Sequence, residues 1–168
     1  MEEQEFIALL LDPKTQNTAF QKLLSDYQRP LYSHIRNIVL NHDDADDVLQ
    51  NTFVKVFQHL KNFKGESKLF SWMYRIATNE AITFINKKAK RNGTTSEAMQ
   101  TRIVENLRAD DYFDGNEIQI KLQKAIHLLP QKQQLVFKMR YYEEIKYEDM
   151  SEILGTSVGA LRLHTTML

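Results

Sequence analysis

Cationic and aromatic side chains alternate through residues 61–91, a composition typical of surfaces that bind single-stranded nucleic acid. The segment has eight lysines and arginines against two glutamates, a net charge of +6 in a chain whose total charge is zero. Cations neutralise phosphates, and aromatic rings stack on bases that have left a duplex. The aromatic residues of the segment are Phe63, Phe70, Trp72, Tyr74 and Phe84. We expect a strand-binding surface here, although at least one of Trp72 and Tyr74 should prove largely structural.

A second candidate site is the acidic run Asp43-Asp44-Ala45-Asp46-Asp47. Its spacing is similar to the Asp-Asp-x-x-Asp motif that holds magnesium and diphosphate in all-α isoprenoid synthases. Those enzymes need a large helical cavity and a second acidic motif, and no second motif follows in this sequence. Carboxylates in a first helical turn are explained by the positive end of the helix dipole. The five histidines show no i, i+4 pairing with one another, so we expect no catalytic residue, metal or cofactor.

The bulk composition is that of a globular protein without a membrane span. The 168 residues are 42% hydrophobic and 26% charged, and no apolar run approaches the roughly 18 residues that a span requires. The absence of cysteine excludes disulfides, thiolate catalysis and cysteine-ligated zinc. The acidic start, Met1 to Glu5, lacks the cations of a signal peptide. These features predict a cytoplasmic protein.

The periodicity of apolar residues predicts an all-α fold with no strand. Helices are expected over residues 2–11, from Thr15 or Asn17 to a break at Pro30, and from there to about residue 41. Asp43 or Asp44 is expected to cap the next helix, and Ser67 a helix over residues 68–88.

The second half of the chain predicts a separate small domain. Periodicity fades over residues 92–115, which we interpret as a flexible, partly helical linker between a domain at 1–91 and a domain at 116–168. In the second domain, two short helices flank Gly155-Thr156-Ser157, which is the helix-turn-helix pattern.

The order and spacing of its segments make the sequence resemble sigma factors of the extracytoplasmic-function (ECF) group, in the sigma-70 family of RNA polymerase. The resemblance covers about residues 20–161 in two blocks. The matching segments are Asp43–Phe57, Phe63–Ser67 and Phe70–Asn79 in the first block, and Leu128–Pro130, Leu135–Phe137, Tyr147–Met150 and Gly155–Leu161 in the second.

The resemblance implies a promoter-specificity subunit that is not an enzyme. Its partners would be RNA polymerase core, through the clamp helices of the large subunit, promoter DNA and an anti-sigma factor, with no small-molecule substrate. The polymerase-docking positions would be Asp43, Asp46, Asp47, Gln50, Asn51 and Phe53. Capture of the melted −10 strand would use Phe63, Lys64, Gly65, Ser67, Lys68, Trp72, Tyr74, Arg75, Asn79, Lys87, Lys88 and Arg91. Recognition of the −35 duplex would use Thr156, Ser157, Val158, Ala160, Leu161 and Arg162.

The C-terminal segment departs from the family pattern. Members usually follow Gly-Ala-Leu with a Lys-Ser-Arg type of run, whereas this chain continues Arg162-Leu163-His164-Thr165-Thr166. A weakly basic, truncated or altered recognition helix leaves −35 binding open. Two other functions therefore stay in view: a helix-turn-helix transcriptional regulator, and a sigma-like protein-binding module without promoter recognition.

Overall fold

The computed structural model describes residues 1–166, and within that range the regular structure is helical, as predicted. Met167 and Leu168, the end of the predicted second domain, lie outside the described residues. The α-helices are α1 Glu3–Leu11, α2 Gln16–Val39, α3 His42–His59, α4 Leu69–Arg91, α5 Ser96–Glu105, α6 Glu117–His127, α7 Gln131–Tyr141, α8 Tyr147–Leu154 and α9 Val158–Thr166. None of them combines the length and hydropathy that a bilayer crossing requires.

Helices α1 to α4 form the first bundle. Apolar residues three and four positions apart line the inner faces, and Leu23, Leu31, Val56 and Met73 are fully buried among them. The predicted break at Pro30 does not occur, because α2 runs through the proline to Val39. The burial of α2 residues on both sides of Pro30 outweighs the one backbone hydrogen bond that proline removes.

The caps of α3 and α4 differ from the sequence prediction. The N-cap of α3 is Asn41, whose side chain accepts a hydrogen bond from the Asp44 backbone N–H at 2.9 Å. At α4, Ser67 lies one residue before the N-cap position and makes no capping bond. The Leu69 backbone N–H donates instead to the Glu3 carboxylate at 3.1 Å. Helix α1 therefore supplies the cap of a helix more than sixty residues later.

The predicted linker contains α5 and a short 3₁₀ helix, Leu107–Ala109, and it packs against both halves of the chain. Val104 and Leu107 are buried in a small cluster with Ile120 of α6. The Arg36 guanidinium of α2 binds the Asp110 carboxylate at 2.9 Å. The segment is thus partly helical, and in this conformation it is held by specific contacts.

Helices α6 to α9 form the second unit. Asn116 caps α6 in a capping box with Gln119. The predicted helix-turn-helix is present in α8 and α9, with Gly155 between them at φ 65°, a left-handed conformation that glycine adopts without a Cβ penalty. Val136, Met139, Met150 and Leu161 are fully buried, in one apolar cluster that also contains residues of α2 and α4.

Candidate functional site

The solvent-facing side of α3 brings together most of the residues predicted to dock on the polymerase. Asp43, Asp47, Gln50 and Asn51 are exposed, at spacings that place them on one side of the helix. The fixed Asn41 cap holds the first turn, so the carboxylates project from a rigid element. An exposed carboxylate pair with adjacent amides is suited to binding arginines on a partner.

Two residues of the acidic run, and one other residue predicted to dock, are engaged within the chain rather than presented freely. Asp46 is half-buried, with a carboxylate oxygen 3.3 Å from His42 Nε2. Asp44 is buried, and its two carboxylate oxygens accept from Lys88 Nζ at 2.9 and 2.7 Å. Phe53, predicted to dock, is only 8% exposed and belongs to the core. Lys88 therefore serves first as the partner of a buried carboxylate, which corrects its prediction as a free phosphate contact.

A groove beside the turn before α4 forms the centre of the predicted strand-binding surface. Its volume is about 480 Å³. The lining residues are Asn62, Phe63, Lys64, Glu66, Ser67, Ser71, Trp72, Arg75 and Glu152. Five of these nine were predicted from sequence, so the structure assembles the aromatic and cationic positions into one concave site.

Trp72 forms the aromatic wall of this groove. It is half-buried, with its ring centroid 4.9 Å from that of Phe63, which is itself 8% exposed. Packing against Phe63 fixes the indole while leaving part of it accessible. On the same face of α4, Lys68, Arg75 and Asn79 are exposed. The result is one immobilised aromatic surface with polar and cationic groups one turn apart.

Tyr74 lies on the opposite side of α4 and is a core residue. It is 3% exposed, and its ring contacts Phe70 at 4.1 Å and His34 at 4.8 Å between centroids. Burial, with a smaller effect of Glu143, raises the pKa of its hydroxyl far above the usual value. The assignment of Tyr74 to DNA contact is therefore corrected, and of the two predicted stacking rings only Trp72 reaches the groove.

The remaining predicted strand contacts lie at the turn and at the far end of α4. Gly65 has φ 73°, and no atom lies within 4 Å of the position that a Cβ would occupy, so the glycine is needed for the turn itself. Lys87 and Arg91 are exposed but lie about 22 Å or more along the helix from Trp72, at roughly 1.5 Å per residue. Phosphates within their reach would therefore belong to nucleotides several positions away from one bound in the groove.

Sequence reasoning missed four groove residues: Asn62 and Glu66 in the turn before α4, Ser71 on α4 and Glu152 on α8. The Ser71 hydroxyl oxygen is buried and has no hydrogen-bond partner among residues 1–166. Its spacing of four from Arg75 placed it on the correct face and was the available signal. Glu152 comes from α8, and no local pattern in the sequence connects it with residues eighty positions earlier.

The predicted duplex-reading helix is α9. The Ser157 hydroxyl caps it, accepting from the Ala160 N–H at 3.3 Å, and Ser157 and Arg162 are exposed. Thr156, Val158 and Ala160 are half-buried. Leu161 is fully buried, which corrects its assignment to the DNA groove. The Arg162 guanidinium carbon lies 5.6 Å from the centroid of the Tyr147 ring, close enough for a cation–π contact that orients it.

Comparisons with known proteins agree with this arrangement. The family profile of Sigma-70 region 2 matches residues 23–91, and that of Sigma-70 region 4 matches residues 119–166. The chain is 29% identical over 152 residues to an ECF RNA polymerase sigma-E factor of Haemophilus influenzae, covering 86% of this chain and 80% of the relative. It is 28% identical over 157 residues to the ECF RNA polymerase sigma factor SigW of Bacillus subtilis, covering 89% and 84%.

Two solved structures share the fold. One is CnrH in complex with the cytosolic domain of CnrY, with a TM-score of 0.67 and 17% identity over 96% of this chain and 88% of that chain. The other is the sigma factor RpoE in complex with the anti-sigma factor NepR from Bartonella quintana, with a TM-score of 0.65 and 19% identity, covering 88% and 90%. The two matched regions together span most of the sequence, and the chain belongs to the sigma-70 family of RNA polymerase sigma factors, in its ECF group.

Proposed function

We propose that this protein is a dissociable promoter-specificity subunit: it binds RNA polymerase core in the bacterial cytoplasm and directs initiation at its promoters, without catalytic residues of its own. The observation that supports this best is the groove beside Trp72, where an immobilised ring, exposed cations and a buried unpaired hydroxyl meet. A simple duplex-binding regulator has no use for such a site in its first bundle.

Strand capture at this groove is energetically reasonable. Unpairing duplex DNA costs on the order of 1–2 kcal/mol per step. Stacking one extruded base on an aromatic ring returns roughly 1–3 kcal/mol. Trp72 supplies the ring, and Arg75 and Lys64 hold the neighbouring phosphates. Stacking in the groove thus offsets the free-energy cost of opening about one base pair. The polymerase offsets the cost of opening the remaining base pairs.

Docking on the polymerase is assigned to the exposed side of α3. Asp43, Asp47, Gln50 and Asn51 present two charges and two amides without internal ion-pair partners in the described part of the chain. Arginine-rich clamp helices of the large subunit are the partner of matching chemistry. Val54, 54% exposed, continues this side by one turn and gives the interface an apolar contact.

Upstream duplex binding is assigned to α9. Arg162 is its exposed cation in the described range, and Ser157 at its N-terminus is suited to a phosphate contact. One oriented arginine provides one strong contact in the major groove. We therefore propose that α9 positions the protein upstream while α3 and the Trp72 groove supply most of the binding. An anti-sigma factor is a further proposed partner, in line with the RpoE–NepR neighbour.

In vitro transcription tests the proposal. Purified core enzyme and a library of bacterial genomic fragments are incubated with and without the protein, and the 5′ ends of transcripts are sequenced. The proposal predicts new, discrete start sites that share upstream elements and require both core and protein. If the protein binds specific duplex sites equally well without core, it is a helix-turn-helix regulator. If it binds core but yields no start sites, it is a protein-binding module.

A further inference from the structure

A further cavity, of about 560 Å³, lies between α2, helices α6 and α7 and the connector, which is the segment of residues 92–115. Its volume falls within the range of about 300–1,000 Å³ that is usual for small-molecule sites. The cavity shares no lining residue with the Trp72 groove, and none of its lining residues was assigned to polymerase or DNA. It is therefore a feature that the proposed function leaves unused.

Apolar and aromatic side chains form much of the cavity wall. Val104 and Leu107 of the connector are buried there. Tyr112, also in the connector, stacks on His42 with 3.7 Å between ring centroids and 13° between ring planes. Tyr112 is 62% exposed, so this stacked pair lies where the cavity meets solvent. Such a wall suits a ligand with an apolar or aromatic body.

The two residues of the lining that carry a permanent charge, Arg36 and Lys138, are both cations. No aspartate or glutamate of the described residues is part of the lining, although the chain contains 22 of them. Arg36 is already neutralised, because its guanidinium binds the Asp110 carboxylate at 2.9 Å. Its Nε also donates to the Leu40 carbonyl oxygen at 2.9 Å. The excess positive charge of the cavity therefore resides on Lys138.

Lys138 holds this charge almost out of contact with water. It is 6% exposed, and its Nζ donates one hydrogen bond, to the Asn37 carbonyl oxygen at 2.8 Å. The other two N–H groups of the ammonium have no partner among residues 1–166. The nearby Glu143 carboxylate is bound to His34 instead, at 2.9 Å. A buried cation without a counter-ion costs free energy, and an anion that entered the cavity would offset that cost.

We propose that this cavity binds a small organic carboxylate, whose anionic group meets the Lys138 ammonium and whose apolar or aromatic body packs against Val104, Leu107 and the Tyr112 ring. The site does not depend on the function proposed above. A ligand held there touches α2, α7 and the connector at once, so its binding stabilises the folded connector by mass action. The molecule acts as an effector, since the cavity supplies binding groups and no reaction is assigned to it.

Methyl NMR tests the site with defined probes. Protein with labelled methyl groups is titrated with benzoate, phenylacetate, naphthylacetate and octanoate, and with the neutral amide of each. Shifts of the Val104 and Leu107 methyl signals report binding inside the cavity. We expect saturable binding of at least one carboxylate, with its amide weaker by about tenfold or more, the effect of one charge-assisted hydrogen bond. No saturable shift with any of the four carboxylates, or equal affinity for carboxylate and amide, overturns the proposal.

A charge-removing variant tests the role of Lys138. Lys138→Met keeps the length of the side chain and should weaken binding of the carboxylate by about tenfold or more, while affinity for the matching amide stays unchanged. Lys132→Met is the matched control, because Lys132 is exposed on the same helix and is not part of the lining. It should bind both probes as wild type does. Equal affinity of Lys138→Met and wild type for the carboxylate overturns the proposal.

Proton uptake provides a measurement on the wild-type protein. Burial lowers the pKa of the Lys138 ammonium group to about 8, which the Glu143 carboxylate opposes only in part. A bound carboxylate raises that pKa, so binding at pH 8.5 should take up about half a proton or more, and binding at pH 6.5 almost none. Calorimetry in two buffers of different ionisation enthalpy measures the uptake. His42 and the Arg36–Asp110 pair remain in Lys138→Met, so its uptake is subtracted. No difference between the two proteins at pH 8.5 overturns the contact.

Hydrogen exchange tests the effector role. At a ligand concentration of about ten times the Kd, amide exchange that requires opening of the cavity should slow about tenfold. We expect this protection in residues 104–113 of wild type, and much less in Lys138→Met at the same ligand concentration. Unchanged exchange of residues 104–113 in wild type with ligand bound contradicts stabilisation of the connector.

Discussion

Replacing Lys138 with methionine is predicted to stabilise the protein at neutral pH. Lys138, on α7, is 6% exposed and donates from Nζ to the Asn37 carbonyl oxygen at 2.8 Å. Burial lowers the pKa of its ammonium group from 10.5 to about 8, and the nearby Glu143 carboxylate only partly opposes this. The folded protein therefore bears the cost of a charge held away from water and without an ion-pair partner among residues 1–166.

The magnitude follows from the two pKa values. The folded value lies below the unfolded one, so between about pH 8 and 10.5 the unfolded chain binds more protons, and stability rises with pH. Below pH 8 the full penalty applies, about 3 kcal/mol at 1.36 kcal/mol per unit. By pH 9.5 it falls to about 1 kcal/mol. Methionine removes the charge but loses the hydrogen bond to Asn37, worth about 1 kcal/mol.

Urea unfolding of wild type and Lys138→Met at several pH values measures this directly. We expect the variant to be more stable by about 2 kcal/mol at pH 7. The advantage should shrink by about 2 kcal/mol between pH 7 and pH 9.5, as wild type loses its penalty. Comparing the two proteins at each pH cancels the titration of all other groups. Lys132→Met, at an exposed position on the same helix, serves as the matched control and should show no pH-dependent difference.

A constant difference between the two proteins across this pH range would refute the reasoning. It would mean that Lys138 reaches water in the folded protein, through partial opening of the interface between α7 and α2. Destabilisation at pH 7 by more than about 1 kcal/mol would equally contradict it, because the ammonium group would then contribute favourably.

Three further substitutions separate the roles assigned above. Asp47→Arg should reduce affinity for core at least tenfold in a pull-down while the thermal unfolding midpoint stays unchanged; retained affinity removes the α3 docking assignment. Arg75→Gln should weaken single-strand binding by the polymerase complex. It should also lower the magnitude of the slope of log affinity against log salt concentration by about one, the change expected for one lost phosphate contact. An unchanged slope argues against that contact. Lys88→Met should cost about 1–2 kcal/mol in urea unfolding, because it leaves the Asp44 carboxylate buried without its cation; an unchanged free energy of unfolding would show that Asp44 is solvated.

Helical periodicity was sufficient to predict the all-α fold and the helix-turn-helix, because both depend on the spacing of apolar and turn residues along the chain. It failed where several neighbouring residues could fill the same local role, such as that of an N-cap. Asn41, Asp43 and Asp44 are all good N-caps, and the structure uses Asn41. Ser67 was a plausible cap, but Glu3 from another helix takes that role. Pro30 signals a break in isolation, and burial on both sides of it keeps α2 continuous.

The sequence predicted the residue types of the candidate site, but not which individual residues face the groove and which face the core. Sequence placed the rings and cations in one segment, yet Trp72 and Tyr74 are only two residues apart and point to different sides of α4. Which side would be the core depends on α2 and on α8, and no local pattern encodes that packing. Lys88 looked like its neighbour Lys87, but the buried Asp44 lies opposite only one of them. The position of Glu152 in the lining of the groove also depends on long-range packing, that of α8.

Permanganate footprinting tests strand capture most directly. Core enzyme with wild type, Trp72→Ala or Trp72→Phe is placed on a promoter that the protein recognises, and unpaired thymines near −10 are mapped. The loss of one stacked base, roughly 1–3 kcal/mol, predicts a 5- to 150-fold fall in the opening equilibrium for Trp72→Ala, with partial recovery in Trp72→Phe and unchanged affinity for core. Wild-type reactivity in Trp72→Ala would contradict capture of a base by this groove.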